Sequence, residues 1–117
     1  MIVNKSGLWG ETYAARYLRD NGYEIIAGNY RCRMGEIDII AEKDGIISFV
    51  EVKTRNKNPM FEPKEAVDFQ KQRKLIAASE MYMLEIKDEI HSQFDVIEVT
   101  LDEKFRPAVI NHIKNAF

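Results

Sequence analysis

With 117 residues, 45% of them apolar and 31% charged, the chain has the size and balance of one folded domain, 1–117, whose core needs no staples. Its net charge of −2 argues against a non-specific nucleic-acid binder, so any nucleic-acid partner has to meet locally clustered cations. No apolar run nears the ~20 residues of a membrane span, MIVNKSGLWG lacks a signal-peptide core, and Cys32 is the only cysteine. A cytoplasmic protein is expected, without membrane contact, intramolecular disulfide or cysteine-built zinc site.

Ser6 reads as the N-cap of a helix over Leu8 to Asn21, stopped by Asn21-Gly22. At about 100° per residue, Leu8, Ala14, Ala15 and Leu18 all fall near Glu11, which puts that acid in the middle of the apolar stripe. A carboxylate there is costly unless it is paired, hydrogen-bonded or bound to a cation. A capping or first-turn acid favoured by the helix dipole, or one that reaches the edge of the core, is the plainer reading. Tyr23 to Tyr30 forms the first expected strand.

Gly35 to Arg55, GEIDIIAEKDGIISFVEVKTR, reads as two strands joined at Asp44-Gly45, the dipeptide that suits a type I′ turn. Pairing Lys43 with Ile46 sets Ile40 opposite Phe49, Asp38 opposite Glu51 and Glu36 opposite Lys53. Ile39 with Val50 and Ile37 with Val52 then make the apolar reverse face. A loop, NKNPMFEP, ends at Pro63, at or near the first position of a second helix running from Lys64 to Glu85 or Lys87. The apolar residues of that helix cover too much of its circumference for one stripe, which suggests a sheet on one side and a second contact, such as another subunit, on the other. Phe94 to Leu101 is the next strand, Arg106-Pro107 breaks the chain, and Ala108 to Ile110 forms a last edge strand. The order α-β-β-β-α-β-β predicts an α/β fold, a mixed sheet flanked by helices.

The chemistry concentrates on Asp38, Glu51 and Lys53, with Glu11 as a fourth residue. Like charges directly opposed across a sheet destabilise it, by roughly 0.2–1 kcal/mol, so the Asp38/Glu51 register calls for a cation. Two carboxylates suit Mg²⁺, which keeps positions for water and substrate phosphate, and oxygen-only ligands favour Mg²⁺ or Mn²⁺ over zinc. The metal activates a water and polarises a phosphoryl group, and Lys53 orients the water or stabilises the transition state. On the residues alone, a solvated ion pair of Glu51 and Lys53 stands beside this reading.

The spacing D-x(12)-E-x-K on consecutive strands, with a helical glutamate upstream, resembles the PD-(D/E)xK motif of restriction-endonuclease-like nucleases. It is especially similar to that of the archaeal Holliday junction resolvases, with Ile37 where the motif nominally has proline. The resemblance implies Asp38, Glu51 and Glu11 as metal ligands and Lys53 as the catalytic lysine. Over nearly the whole chain the sequence resembles the YraN family of bacterial predicted endonucleases. The matching pieces are Gly7-x-x-Gly10-Glu11 with Ala14, GEIDII at 35–40, FVEVKTR at 49–55, FDVIEV at 94–99 and HIKNAF at 112–117. A restriction-endonuclease-like fold follows from it, whereas a substrate does not. Because the resolvases it resembles act as dimers, a homodimer is left open.

Among the cations, Lys71, Lys74, Arg55 and Arg33 are the candidates for phosphate contact. Asp95 reads as structural, and His91 and His112 as without a catalytic role. Trp9 and Tyr13, one turn apart, read as core or interface rather than as a base-stacking platform. Two functions compete, a Mg²⁺-dependent endonuclease acting on DNA, branched or single-stranded forms included, and a non-catalytic nucleic-acid-binding or partner-binding module on the same fold; against a third, a purely structural subunit, stands the opposed acid pair.

Overall fold

Asp44 and Gly45 both take left-handed backbone conformations, φ 52° and 77°, as a type I′ turn demands. A computed structural model describes residues 5–57, 69–86 and 89–117. The turn joins β2 (Gly35–Lys43) to β3 (Ile46–Asn56), and the expected pairing holds from Lys43↔Ile46 through Ile39↔Val50. It goes no further. The predicted pairs Asp38/Glu51, Ile37/Val52 and Glu36/Lys53 are not rungs of the ladder. The Asp38 carboxylate instead takes the main-chain donor at this point: the Val52 N–H donates to Asp38 Oδ2 at 2.8 Å.

Strand alternation also breaks at Asp38. Ile39 packs with Val50 on one face, whereas Ile37 joins Ile40 and Phe49 on the other, so Ile37 does not share the Ile39 face as the simple register predicts. The neighbouring strand shows the matching irregularity. In β1 (Glu24–Cys32), Gly28↔Ile39 and Tyr30↔Ile37 flank Asn29, whose φ is 52°, a left-handed conformation that asparagine tolerates better than most residues.

Among the described residues the remaining elements are α1 (Lys5–Asp20), α2 (Phe69–Leu84), β4 (His91–Leu101) and β5 (Pro107–Ile113). The sheet order is β1-β2-β3-β4-β5, parallel at β3–β4 and antiparallel elsewhere. This is the mixed, helix-flanked α/β sheet, in the order α-β-β-β-α-β-β, that the sequence predicts. Since β3 and β4 are parallel, the chain between them has to cross back over the sheet, and α2 lies on that crossover.

α1 ends where expected. The Tyr23 N–H donates to the Leu18 carbonyl at 2.9 Å and the Gly22 N–H to Arg19 at 3.1 Å, the paired bonds of a glycine-terminated helix, with Gly22 at φ 86°. It starts earlier than expected, so Ser6 lies inside the first turn rather than capping it. Ala14 and Leu18 are fully buried, against Tyr23, Ile39, Val50, Ile97, Val99 and Leu101. Leu8 is 55% exposed, which moves the stripe toward Gly10 and leaves Glu11 at its margin, half-buried, rather than at its centre.

The opposite face of the sheet is covered by α2, whose Leu75 and Ala78 pack on Ile37, Ile40, Ile47 and Phe49. Its predicted start at Lys64, with Pro63, lies outside the described residues, as does Lys87. Away from the sheet, Phe69 and Leu84 are 72% and 77% exposed. β5 is longer than the predicted Ala108 to Ile110 and is an edge strand as expected.

Candidate functional site

Two close approaches bring the helices to the broken part of the hairpin. Gly10 is buried against β3, where a Cβ would collide with the Thr54 side chain. The next residue, Glu11, thereby faces β1 and β2, and its carboxylate is hydrogen-bonded to the Asn29 side chain. On the far side, a Cβ on Gly35 would sit 3.0 Å from the Lys74 carbonyl oxygen, so α2 rests its first turns on the β1–β2 connection. Between these contacts lies a cleft of about 550 Å³. Glu11, Glu36, Asp38 and Glu51 line it on the acidic side, with Arg31, Lys71 and Lys74 on the basic side.

Asp38 and Glu51 meet here, although not as a directly opposed cross-strand pair. They come together because the strands part after Ile39↔Val50 and Asp38 turns its carboxylate to the Val52 amide. Burial, first, and then the adjacent Glu51 charge push the Asp38 carboxyl up to about 7; the nearby Glu11 adds to this and the Val52 N–H opposes it. The Glu51 carboxylate lies close enough that its charge disfavours ionisation of Asp38. Burial also raises Glu11, with the charges of Glu36 and Glu51 adding to it against the Asn29 hydrogen bond and Arg31. Asp38 and Glu11 are thus both held above their ordinary range, first by burial and then by neighbouring carboxylates.

Glu51 is 7% exposed and Lys71 Nζ lies 3.0 Å from its Oε1. Lys53, two residues along the same strand and 8% exposed, is not among the residues lining the cleft. Arg31 lines it and pairs with Glu36 at 3.4 Å, whereas the predicted Arg33 sits exposed in the β1–β2 turn. Arg55 is turned to the next strand and held by Glu98 at 3.1 Å, away from the cleft. Lys71 and Lys74 are thus placed at the acids; Arg33 and Arg55 are not. Sequence reasoning gave no weight to Asn29, which orients Glu11; the Gly28-Asn29 dipeptide was its available signal.

Among the described residues, no group of three acids, imidazoles or thiols makes a ready-made metal cage. A carboxylate pair beside cations nonetheless suits Mg²⁺ or Mn²⁺, which hold one or two carboxylates and complete their shell with water and phosphate.

A second buried polar cluster lies elsewhere. His112 Nε2 is 2.8 Å from Asp95 Oδ2, and the Tyr17 hydroxyl is 3.2 Å from its Nδ1. With the proton on Nε2, the imidazole donates to Asp95 and accepts from Tyr17. Gln93 and the Asn115 N–H fill Asp95 Oδ1 at 3.0 and 3.2 Å. The cluster ties β5 to β4 and α1, the structural role expected for Asp95. His112, read as without a catalytic role, is its structural keystone.

The site and sheet define an α/β protein with an acidic cleft at the margin of a split hairpin. Residues 10–99 match the model of the uncharacterised protein family UPF0102. A UPF0102 protein of Alkaliphilus oremlandii is 47% identical over 116 residues, covering 97% of each chain. Another, of Caldanaerobacter subterraneus subsp. tengcongensis, is 44% identical over 119 residues and 98% of each. One from Clostridium botulinum strain 657 is 43% identical over 113 residues, 95% of this chain and 92% of its own. The chain belongs to the UPF0102, or YraN, family. No helix among the described residues is long and apolar enough to cross a membrane.

Proposed function

We propose that the protein is a divalent-metal-dependent endonuclease that hydrolyses phosphodiester bonds in DNA. The meeting of Asp38 and Glu51, with the Asp38 carboxyl pushed up to about 7 in a cleft that also holds Lys71 and Lys74, carries this reading. Asp38 and Glu51 would hold Mg²⁺ or Mn²⁺, with Glu11 reaching the same ion through its water shell. When bound, the metal supplies an activated water and neutralises charge on the phosphoryl oxygens.

The protein's own residues do the rest. The Val52 amide fixes the Asp38 rotamer. Lys71, Lys74 and Arg31 border the cleft where a phosphate backbone would lie, and would turn to it once a metal engages the carboxylates that now pair Lys71 and face Lys74. Lys53, on the strand that carries Glu51, is the lysine that would orient the water or offset transition-state charge. Incubation with branched, nicked, single-stranded and double-stranded DNA in Mg²⁺ or Mn²⁺ tests the proposal. Cleavage that persists unchanged in both Asp38→Asn and Glu51→Gln refutes the site.

A second reading, a non-catalytic binding module, draws on the ion pair that already engages Glu51 through Lys71. It predicts nucleic-acid or partner binding that is indifferent to metal and to those two substitutions, with no metal uptake by calorimetry.

A further inference from the structure

α1 turns Glu11 to the cleft and two aromatic rings to its other flank. Trp9 and Tyr13 are stacked, with ring centroids 5.7 Å apart and planes 21° from parallel. The Arg16 guanidinium lies 5.8 Å from the Tyr13 centroid, so indole, phenol and guanidinium form one column along the helix. The Tyr13 hydroxyl donates to the Phe105 carbonyl at 2.8 Å, which pins the β4–β5 connection beside the column. Trp9 is 44% exposed and Phe105 38%, so Trp9 is not the core residue that its spacing allowed. Scattered exposed apolar residues are ordinary on a soluble protein. A stacked pair pinned by a hydrogen bond is not, and Trp9 is not among the described residues that pack on the core.

The surroundings favour a polyanion. Lys57, Lys104 and Arg106 border a depression beside Phe105, together with Asp102 and Glu103. Asp102 is already engaged by the Arg106 side chain and by the Lys104 and Arg106 amides, all at 2.9 Å. With Arg106 paired to Asp102, Lys57 and Lys104 face Glu103 in the depression, and Arg16 adds a further cation on the column, in a chain whose net charge is −2. In a two-fold dimer this cation-rich patch would meet itself, so a phosphate backbone is the better electrostatic match than a second copy.

We propose that the Trp9–Tyr13 column is a stacking platform for an unpaired nucleobase, which makes DNA with a single-stranded segment the substrate class. The proposal rests on the nuclease reading only for what the neighbouring cleft does. Glu11 and Trp9 lie on either side of Gly10, so the width of one helix, about 10 Å, separates cleft from platform. A few nucleotides of unpaired strand span that distance, whereas the bases of an intact duplex are stacked on each other and cannot reach the rings. Stacking of this kind tolerates any base, because every base has a π-face.

Trp9 is the only tryptophan in the chain, so its emission reads the platform directly in the wild-type protein. The protein would be titrated in EDTA, so that nothing is cleaved, with a single-stranded oligonucleotide, the blunt duplex of the same sequence, and an abasic strand of the same length. The expected result is strong quenching by the single strand and little by the duplex or the abasic strand. By anisotropy of a labelled oligonucleotide, Trp9→Ala should weaken single-strand binding by about tenfold, with Trp9→Phe restoring most of it.

Equal quenching by the abasic strand, or no response to any nucleic acid, overturns the proposal. Emission that changes on diluting the protein alone also overturns it, because a second copy then covers the rings. Quenching that persists in a protein cleaving none of the substrates sinks the nuclease reading and leaves the platform standing.

Discussion

Asp38→Asn should stabilise the protein at alkaline pH while abolishing metal-dependent cleavage. The carboxyl has an ordinary value of 3.8 and is pushed up to about 7 in the folded chain by burial and by Glu51. Below about pH 4 it is protonated in both folded and unfolded states and imposes no penalty. As pH rises from 4 toward 7, the unfolded chain releases the proton that the folded chain retains, so wild-type stability falls across this window and levels off above it. At about 1.4 kcal/mol per pH unit the full gap amounts to about 4 kcal/mol, an upper bound because the pair relaxes and water enters the cleft.

Asparagine keeps an oxygen for the Val52 amide and offers Glu51 an N–H donor, so a net gain of about 1–3 kcal/mol is expected. In a chain of this size that raises Tm by about 5–10 °C at pH 8, shrinking toward zero by pH 4. Thermal melts of both proteins across pH 4–8 measure it, with and without Mn²⁺. Metal should raise the wild-type Tm and leave the variant unmoved. A variant that is less stable than wild type at pH 8, or a difference that does not vary with pH, refutes the electrostatic reasoning.

Lys71→Met should release Glu51 from its internal cation, tightening Mn²⁺ binding several-fold by calorimetry while weakening DNA binding. Gly10→Ala should destabilise by about 1–3 kcal/mol in urea melts, because its Cβ meets Thr54; Gly28→Ala, with nothing within 4 Å, should change little. His112→Ala strands a fully buried Asp95 and should cost about 2–4 kcal/mol, whereas Tyr17→Phe should cost about 1 kcal/mol. Burial tends to raise Asp95, but its hydrogen bonds from His112 and the Asn115 amide outweigh this and hold it below 3.8. Its stabilising contribution is therefore present above that pH and should be lost as pH falls through the lower folded value, which acid titration followed by circular dichroism can show.

Local chemistry made much of the fold readable. Asp44-Gly45 fixed the hairpin because few dipeptides accept two left-handed residues, and Asn21-Gly22 fixed the helix end for a similar reason. A regular ladder extended from the turn sets Asp38 opposite Glu51, and the acids do meet. They meet by a different route, because the Asp38 side chain replaces a backbone partner and the alternation breaks opposite Asn29. Period-two counting has no way to register a side chain that competes for a main-chain amide.

The same limitation explains Arg55, a candidate for phosphate contact that Glu98 of β4 captures. That neighbour is parallel and more than forty residues away in sequence. Glu11 was singled out by a helical wheel that took Leu8 as core. Gly10, without a side chain, carries no weight on such a wheel, yet its contact with Thr54 sets the face that docks.

Crystals grown with Mn²⁺ and measured for anomalous scattering test the central claim most directly. The account predicts one strong peak in the cleft, within roughly 2.1 Å of a carboxylate oxygen from both Asp38 and Glu51, with Lys71 displaced from Glu51. Saturating Mn²⁺ with no peak between these carboxylates, and Lys71 still paired to Glu51, would contradict it.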